Sequence, residues 1–221
     1  MSLSRLTPLQ VLVLGVLAGQ PTGWTLTGRA ALAGFHTRHR MTRDLDLFWH
    51  GKSELGSIPR EVDMRLRASG LTVATSTTSP HFTRFLVNQG GEQLVVDLVA
   101  DPVPFIEQPA AMELAGHSIL VDTVHEILVD KLLALVGRTE LRDLVDVGCL
   151  LEHGGDLTRG LAEAPRKDSG FSPLTLAWLL HDMAVERMAL AEGRPAEEVA
   201  RLLALRRDLG ERISRLADPR P

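Results

Sequence analysis

Two aspartates, Asp44 and Asp46, lie two residues apart in a short apolar segment, residues 43–48, with the sequence RDLDLF. In a strand, residues i and i+2 point to the same face of the sheet. The segment therefore predicts two carboxylates on one face and two leucines in a core on the other. Two like charges this close repel each other unless a cation lies between them. The spacing suits a pair of divalent metal ions, which lie about 3.5–4 Å apart in two-metal enzymes.

A third aspartate, Asp97, interrupts the apolar run VVDLV at residues 95–99. A carboxylate buried without a partner destabilises a strand or becomes protonated. A metal ion or a role as a buried base would explain its position; a place on the solvent face of an antiparallel strand is the alternative. An Asp-x-Asp pair on one strand with a third aspartate on another is the carboxylate set of two-metal phosphoryl or nucleotidyl transfer.

Length and composition limit the classes of protein to be considered. A chain of 221 residues, 44% hydrophobic and with a formal net charge of −4, forms one large domain or two modest ones. The single cysteine, Cys149, excludes an internal disulfide and is expected in a reducing cytoplasm. No apolar run is long enough to span a membrane, so we expect a cytoplasmic protein with no membrane partner. The net charge argues against a generally basic surface but allows a local basic patch, for which the candidates are Arg38, His39, Arg40 and Arg43.

Residue periodicity and turn residues divide the chain into an α/β half, residues 1–121, and a helical half, residues 122–221. Strands are predicted near residues 24–27, 45–49, 71–75, 82–87 and 93–100, with the last two joined as a hairpin across a turn at 88–91. Helices are predicted in this half near residues 8–18, 30–33 and 59–68. A further short strand is predicted near 118–121. Helices are predicted near residues 122–136, 139–152 and 172–193, and from Pro195 to near the C-terminus. Such a division is typical of an α+β protein.

A lysine occupies an apolar helix face in the second half. On the predicted helix 122–136, Lys131 lies four residues from both Ile127 and Leu135, which belong to an apolar stripe. A lysine there must extend to solvent or meet an anion. In the following helix, Arg142 and Asp146 are spaced i,i+4 and could simply pair on the surface.

The order and spacing of four segments resemble the AbiEii/AbiGii-type nucleotidyltransferase family, part of the DNA polymerase β-like superfamily. They are residues 26–33 (LTGRAALA), the Asp-x-Asp segment, residues 124–135 (VHEILVDKLLAL) and residues 142–146 (RDLVD), and the match covers roughly residues 24–152. The resemblance implies an α+β fold with a small mixed sheet and flanking helices, followed by a helical C-terminal half. Some members are toxins of toxin–antitoxin pairs, which implies an antitoxin partner.

The resemblance also implies an activity and a set of site residues. The chain would move a nucleoside monophosphate from an NTP to a hydroxyl acceptor, such as an RNA end, with Mg²⁺ or Mn²⁺ as cofactor. The implied residues are Asp44, Asp46 and Asp97 as metal ligands, with Asp97 also the base, then Gly28, Arg29 and Lys131 for the nucleotide, with Arg43, Arg142, Asp143 and Asp146 in support.

The glycine motif departs from the family pattern, because Arg29 follows Gly28 where the family usually has a small residue. Small residues let the backbone approach a triphosphate. Two alternatives therefore stay open: a binding or regulatory protein that keeps the fold with little catalysis, and a small-molecule nucleotidyltransferase of the antibiotic-modifying kind.

Overall fold

The computed structural model describes residues 6–37 and 42–217. The chain forms two compact units, Met1–Val124 and His125–Pro221. Over the described ranges, none of the helices combines the length and the apolar character needed to cross a membrane.

The described strands of the first unit form one mixed sheet of seven strands, in the order β3-β4-β5-β2-β1-β7-β6. Strand β2 lies near the middle, parallel to β5 and antiparallel to β1, and β1 is parallel to β7. The other neighbours are antiparallel. The strands are β1 (Thr25–Thr27), β2 (Asp44–His50), β3 (Thr72–Thr78), β4 (Phe82–Gln89), β5 (Glu92–Asp101), β6 (Ala110–Leu114) and β7 (His117–Val121).

Strand β2 separates a core face from a polar face. Leu45, Leu47 and Trp49 are fully buried, whereas Asp44 and Asp46, between them in sequence, are half-buried. This period of two is what a strand with a single core face requires. Val96 and Leu98 of β5, the Cα partners of Leu45 and Leu47, are buried on the same side, so both aspartates are left on the opposite face.

The helices of the first unit frame this sheet. They are α1 (Pro8–Leu17), α2 (Gly28–Ala31), which continues as a π-helical segment (Leu32–His36), and α3 (Ile58–Ala68). Helix α1 begins with a capping box between Thr7 and Gln10, followed by a proline in its first turn. Helix α2 begins directly after β1, so the glycine motif is the turn from strand to helix.

The second unit is built from helices, which begin with α4 just before the boundary. They are α4 (Val124–Arg138), α5 (Leu141–Glu152), α6 (Leu157–Glu163) with a 3₁₀ turn (Ala164–Arg166), α7 (Pro173–Asp182), α8 (Val185–Ala191) and α9 (Ala196–Ala217). A mixed sheet with flanking helices, followed by a helical half, confirms the predicted α+β class.

Three elements differ from the sequence-based prediction. The single helix predicted for residues 172–193 is wrong: Met183 adopts an extended conformation, with φ −61° and ψ 120°, and divides it into α7 and α8. Met183 is buried, so packing fixes a break that no glycine or proline marks. Strand β6 was not predicted because its sequence, AAMEL, favours helix, and helix α6 was not predicted either.

Candidate active site

A transverse row of side chains crosses the polar face of the sheet. Cα pairing places Thr77 of β3 beside Arg84 of β4, Arg84 beside Asp97 of β5, Asp97 beside Asp46 of β2, and Asp46 beside Thr27 of β1. Neighbouring strands lie about 4.8 Å apart, so the row brings distant parts of the sequence within side-chain reach of one another. Asp46 and Asp97 therefore share one face.

Two buried contacts fix the start of β2, where Asp44 lies. The Gln10 side-chain amide, which is fully buried, donates to the carbonyl oxygens of Thr42 and Asp44, each at 3.2 Å. The Val95 backbone N–H of β5 donates to the Arg43 carbonyl oxygen at 3.1 Å. Helix α1 and strand β5 thus hold the backbone that carries both aspartates.

Gly28 approaches the Asp46 carboxylate more closely than any other residue type could. Its φ is +63°, in the region that favours glycine. A Cβ atom built on Gly28 would lie 2.4 Å from Asp46 Oδ2, well inside van der Waals contact. The absence of a side chain at Gly28 therefore lets the Asp46 carboxylate lie against the backbone at the point where α2 begins.

The geometry around Asp44 suits a cation. Its Oδ1 atom is buried and has no hydrogen-bond partner among the described residues. A buried oxygen without a partner is unfavourable unless a ligand satisfies it. Mg²⁺ and Mn²⁺ prefer carboxylate oxygens, so the pair Asp44 and Asp46, which share one face of β2, fits a divalent cation.

Asp97, in contrast, is held by an arginine. Arg84 Nε donates to Asp97 Oδ1 at 2.7 Å and Arg84 Nη2 donates to Asp97 Oδ2 at 2.6 Å. Asp97 is 7% exposed, whereas the Arg84 side chain is 44% exposed. Hydrogen bonding to Asp97 raises the pKa of Arg84, and the charges of Asp46 and Asp44 add to this effect. Within the described ranges, no three His, Cys, Asp or Glu side chains form a group that could hold a metal ion.

Arg84 was not predicted as a site residue, although the hairpin register indicates that it lies opposite Asp97. Gln89 and Glu92 are Cα partners, and the two residues between them, Gly90 and Gly91, both have positive φ. That pattern is a two-residue hairpin turn. Counting outward from such a turn places residue 84 opposite residue 97.

The helical unit contains a second cluster of charges. Lys131 Nζ lies 3.1 Å from Asp143 Oδ1 and 2.8 Å from Asp146 Oδ2. Arg138 Nε donates to Asp143 Oδ2 and Arg138 Nη2 donates to Asp143 Oδ1, each at 2.7 Å. Burial raises the pKa of Asp143, but Arg138 and Lys131 outweigh it and hold that pKa below its ordinary value. Arg142 is exposed and pairs with Glu140.

The remaining predicted residues occupy varied positions. Arg29 is half-buried at the second residue of α2, and Arg43 is exposed just before β2. The other members of the basic patch, Arg38, His39 and Arg40, lie outside the described residues.

A buried histidine further along the polar face was also missed. The His50 side chain is fully buried, with Nδ1 2.9 Å from Asp101 Oδ2 and Nε2 3.5 Å from Asp122 Oδ2. Its ring centroid lies 4.2 Å from that of Phe105. Burial lowers the pKa of His50, but the two carboxylates outweigh burial and raise it to about 9. His50 is thus a resident cation between two acids.

Known proteins share both sequence features and fold with this chain. The model of a family described as "Nucleotidyl transferase AbiEii toxin, Type IV TA system" matches residues 12–208. JHP933 from Helicobacter pylori is 19% identical, with a TM-score of 0.54 over 97% of this chain and 96% of that chain. Another H. pylori structure is 19% identical, with a TM-score of 0.56 over 93% of each chain. MenT4, a nucleotidyltransferase toxin from Mycobacterium tuberculosis H37Rv, is 16% identical, with a TM-score of 0.54 over 95% of this chain and 91% of that chain. At these identities the solved structures establish a shared fold. No curated protein matches the sequence significantly.

Proposed function

Since the chain belongs to the AbiEii nucleotidyl transferase toxin family, we propose that it moves a nucleoside monophosphate from an NTP to a hydroxyl acceptor at the row centred on Asp46. The acceptor oxygen would bond to the α-phosphorus, and the bond to the β-phosphate would break, so that pyrophosphate leaves. The family resemblance seen in the sequence is confirmed, and so is the prediction that the chain is a nucleotidyltransferase of the toxin type. The metal, the acceptor and the roles of individual residues are our proposal.

One observation carries the proposal: the close approach of Gly28 to the Asp46 carboxylate. Because a Cβ at residue 28 would lie 2.4 Å from Asp46 Oδ2, only a glycine lets the backbone of the turn into α2 lie against the carboxylate. Phosphate groups bind where glycine lets the backbone come close. A carboxylate there would repel a phosphate, so the two fit one site only when a cation lies between them.

Asp44 and Asp46 would hold that cation, Mg²⁺ or Mn²⁺. Support comes from the shared face of the two side chains and from the buried Oδ1 of Asp44, which has no hydrogen-bond partner in residues 6–37 and 42–217. When bound, the ion supplies charge neutralisation on the phosphates and lowers the pKa of the attacking hydroxyl.

The chain's own residues would bind and orient the two substrates. Gly28 lets the triphosphate approach the backbone, and Arg29 donates to a phosphate oxygen. Asp97 accepts the hydrogen of the acceptor hydroxyl. A carboxylate has about four lone-pair sites, so the two hydrogen bonds from Arg84 leave it able to accept another.

Lys131 would contribute a positive charge to the triphosphate, as the family resemblance implies. Asp143 and Asp146 hold its ammonium group in position, which limits the side-chain entropy lost on binding. Arg142 would support this helix from the surface. For the acceptor we propose an RNA end, which the exposed Arg43 and Arg84 would attract. The family also suggests an antitoxin partner.

Transfer of an α-phosphate-labelled NTP to total RNA tests the proposal. We expect the wild type to label RNA in Mg²⁺ or Mn²⁺, and Asp46→Asn to lower the rate by about 100-fold or more. Asp208→Asn, which alters an exposed aspartate of α9, is the matched control and should label RNA at the wild-type rate. Equal rates for Asp46→Asn and wild type would refute the assignment of the site.

A further inference from the structure

Arg84 occupies the position of a cation at Asp97. We propose that Arg84 acts as a resident cation that keeps Asp97 from binding metal, so that the acidic row binds a divalent ion through Asp44 and Asp46 alone. Loss of Arg84 would then open a second metal position at Asp97. The inference rests on the proposed function, since it takes Asp44 and Asp46 as the first metal position.

The contact between Arg84 and Asp97 uses the full fork of the guanidinium. Nε and Nη2 donate to separate oxygens of Asp97, at 2.7 and 2.6 Å. Such a two-point contact fixes the plane of the carboxylate as well as neutralising it. A metal ion bound to Asp97 would need the same oxygens and would meet the positive charge of Arg84 beside them.

The fold makes the contact hard to avoid. Arg84 and Asp97 are Cα partners on adjacent strands of one hairpin, so both side chains rise from the same face. The Arg84 guanidinium also lies 5.6 Å from the centre of the Phe82 ring, a second favourable contact for the cation. Asp97 is 7% exposed, and a carboxylate so buried needs a positive partner.

The three aspartates would therefore have different roles in the reaction. The two hydrogen bonds from Arg84 fix the plane of the Asp97 carboxylate and leave it lone pairs that would accept the hydrogen of the acceptor hydroxyl. Asp44 retains for the ion an Oδ1 atom that no described residue contacts through a hydrogen bond. Arg84 is thus a positioning residue, which acts through Asp97.

A purely structural role, in which Arg84 only pins β4 to β5, makes a different prediction. In that case, its removal would lower stability without changing the number of metal ions bound. Charge and shape can be separated with two variants, since Arg84→Lys retains the positive charge whereas Arg84→Met removes it with a side chain of similar reach.

Calorimetric titration with Mn²⁺, without nucleotide, tests the inference. The wild type should bind one ion, and Arg84→Met should show a second binding event that disappears in the double variant Arg84→Met/Asp97→Asn. Arg84→Lys should titrate like the wild type. A titration of Arg84→Met that superimposes on that of the wild type would overturn the inference.

Two further variants, Asp46→Asn and Arg84→Gln, distinguish failure of the inference from failure of the proposed metal site. If Asp46→Asn loses the Mn²⁺ that the wild type binds while Arg84→Met gains none, the inference fails alone. If neither the wild type nor Arg84→Met binds Mn²⁺, the inference and the proposed metal site fail together. Should Arg84→Met be too unstable to titrate, Mn²⁺ should raise the Tm of Arg84→Gln more than that of the wild type, and an equal rise would contradict the inference.

Discussion

Buried carboxylates occur in both units, but their surroundings differ. In the helical unit, Asp143 and Asp146 both meet Lys131, and Arg138 completes the partners of Asp143. In the sheet, Arg84 satisfies Asp97, yet Asp44 keeps a buried oxygen without a partner among the described residues. Both carboxylates of the helical cluster thus have a cation within 3.1 Å, whereas Asp44 has no comparable partner for its Oδ1 atom among the described residues.

The largest change in the free energy of unfolding is expected for Lys131→Met. Removing the lysine leaves two carboxylates, at 0% and 4% exposure, without their shared cation. We expect a loss of about 3–5 kcal/mol in the free energy of unfolding, measured by urea denaturation. Lys52→Met, at an exposed lysine, is the matched control and should change stability by less than about 0.5 kcal/mol. A Lys131→Met protein as stable as the control would show that the helical cluster contributes no stability.

Asp101 and Asp122, two acids of the first unit, also share a cation, which is His50. Its pKa is raised from 6.5 to about 9 in the folded chain, so its contribution to stability is complete below pH 6.5 and is lost as pH rises through 9. The contribution is on the order of 3 kcal/mol. The free energy of unfolding should therefore fall between pH 6.5 and 9.5 in the wild type relative to His50→Gln. Parallel pH profiles for the two proteins would mean that His50 is not charged.

Arg29 decides between a catalytic and a binding protein. If it donates to a phosphate oxygen, Arg29→Ser should raise the KM for NTP about tenfold with little change in kcat, as measured by initial rates of RNA labelling. An inactive wild type with an active Arg29→Ser would instead mean that the arginine blocks the nucleotide, which is the catalytically degenerate alternative.

The smallest effect is expected at Asp44, and its sign is opposite to that at Lys131. Asp44→Asn removes a charge from a buried oxygen without a partner, so we expect the free energy of unfolding to rise by about 1 kcal/mol without metal. Urea denaturation in a chelator measures it. A large loss of stability would place Asp44 in a completed network and remove the contrast between the two units.

Local pattern was enough to predict much of the first unit. The alternation in residues 43–48 predicted strand β2 with its aspartates opposite its leucines, because a strand needs one apolar face. The hairpin of β4 and β5 followed from two β-branched segments around a glycine turn. These features depend on neighbours a few residues apart in sequence.

Features that depend on distant neighbours could not be predicted in the same way. The partners of Lys131, Asp143 and Asp146, lie on the next helix. The sequence alone left two alternatives for Lys131, a side chain that extends to solvent or one that forms an ion pair. The pairing of Arg84 with Asp97 required the hairpin register as well as the strand positions. The sequences at the break near Met183 and in strand β6 locally favour helix, and tertiary packing overrides that preference.

We propose that the sheet, and not the helical unit, holds the divalent cation. Mn²⁺ binding to Asp44→Asn and to Asp143→Asn, followed by electron paramagnetic resonance of the free ion, distinguishes the two units. We predict that Asp44→Asn loses the bound Mn²⁺, whereas Asp143→Asn binds it like the wild type while unfolding at a lower temperature. Wild-type Mn²⁺ binding by Asp44→Asn would rule out a cation site at Asp44.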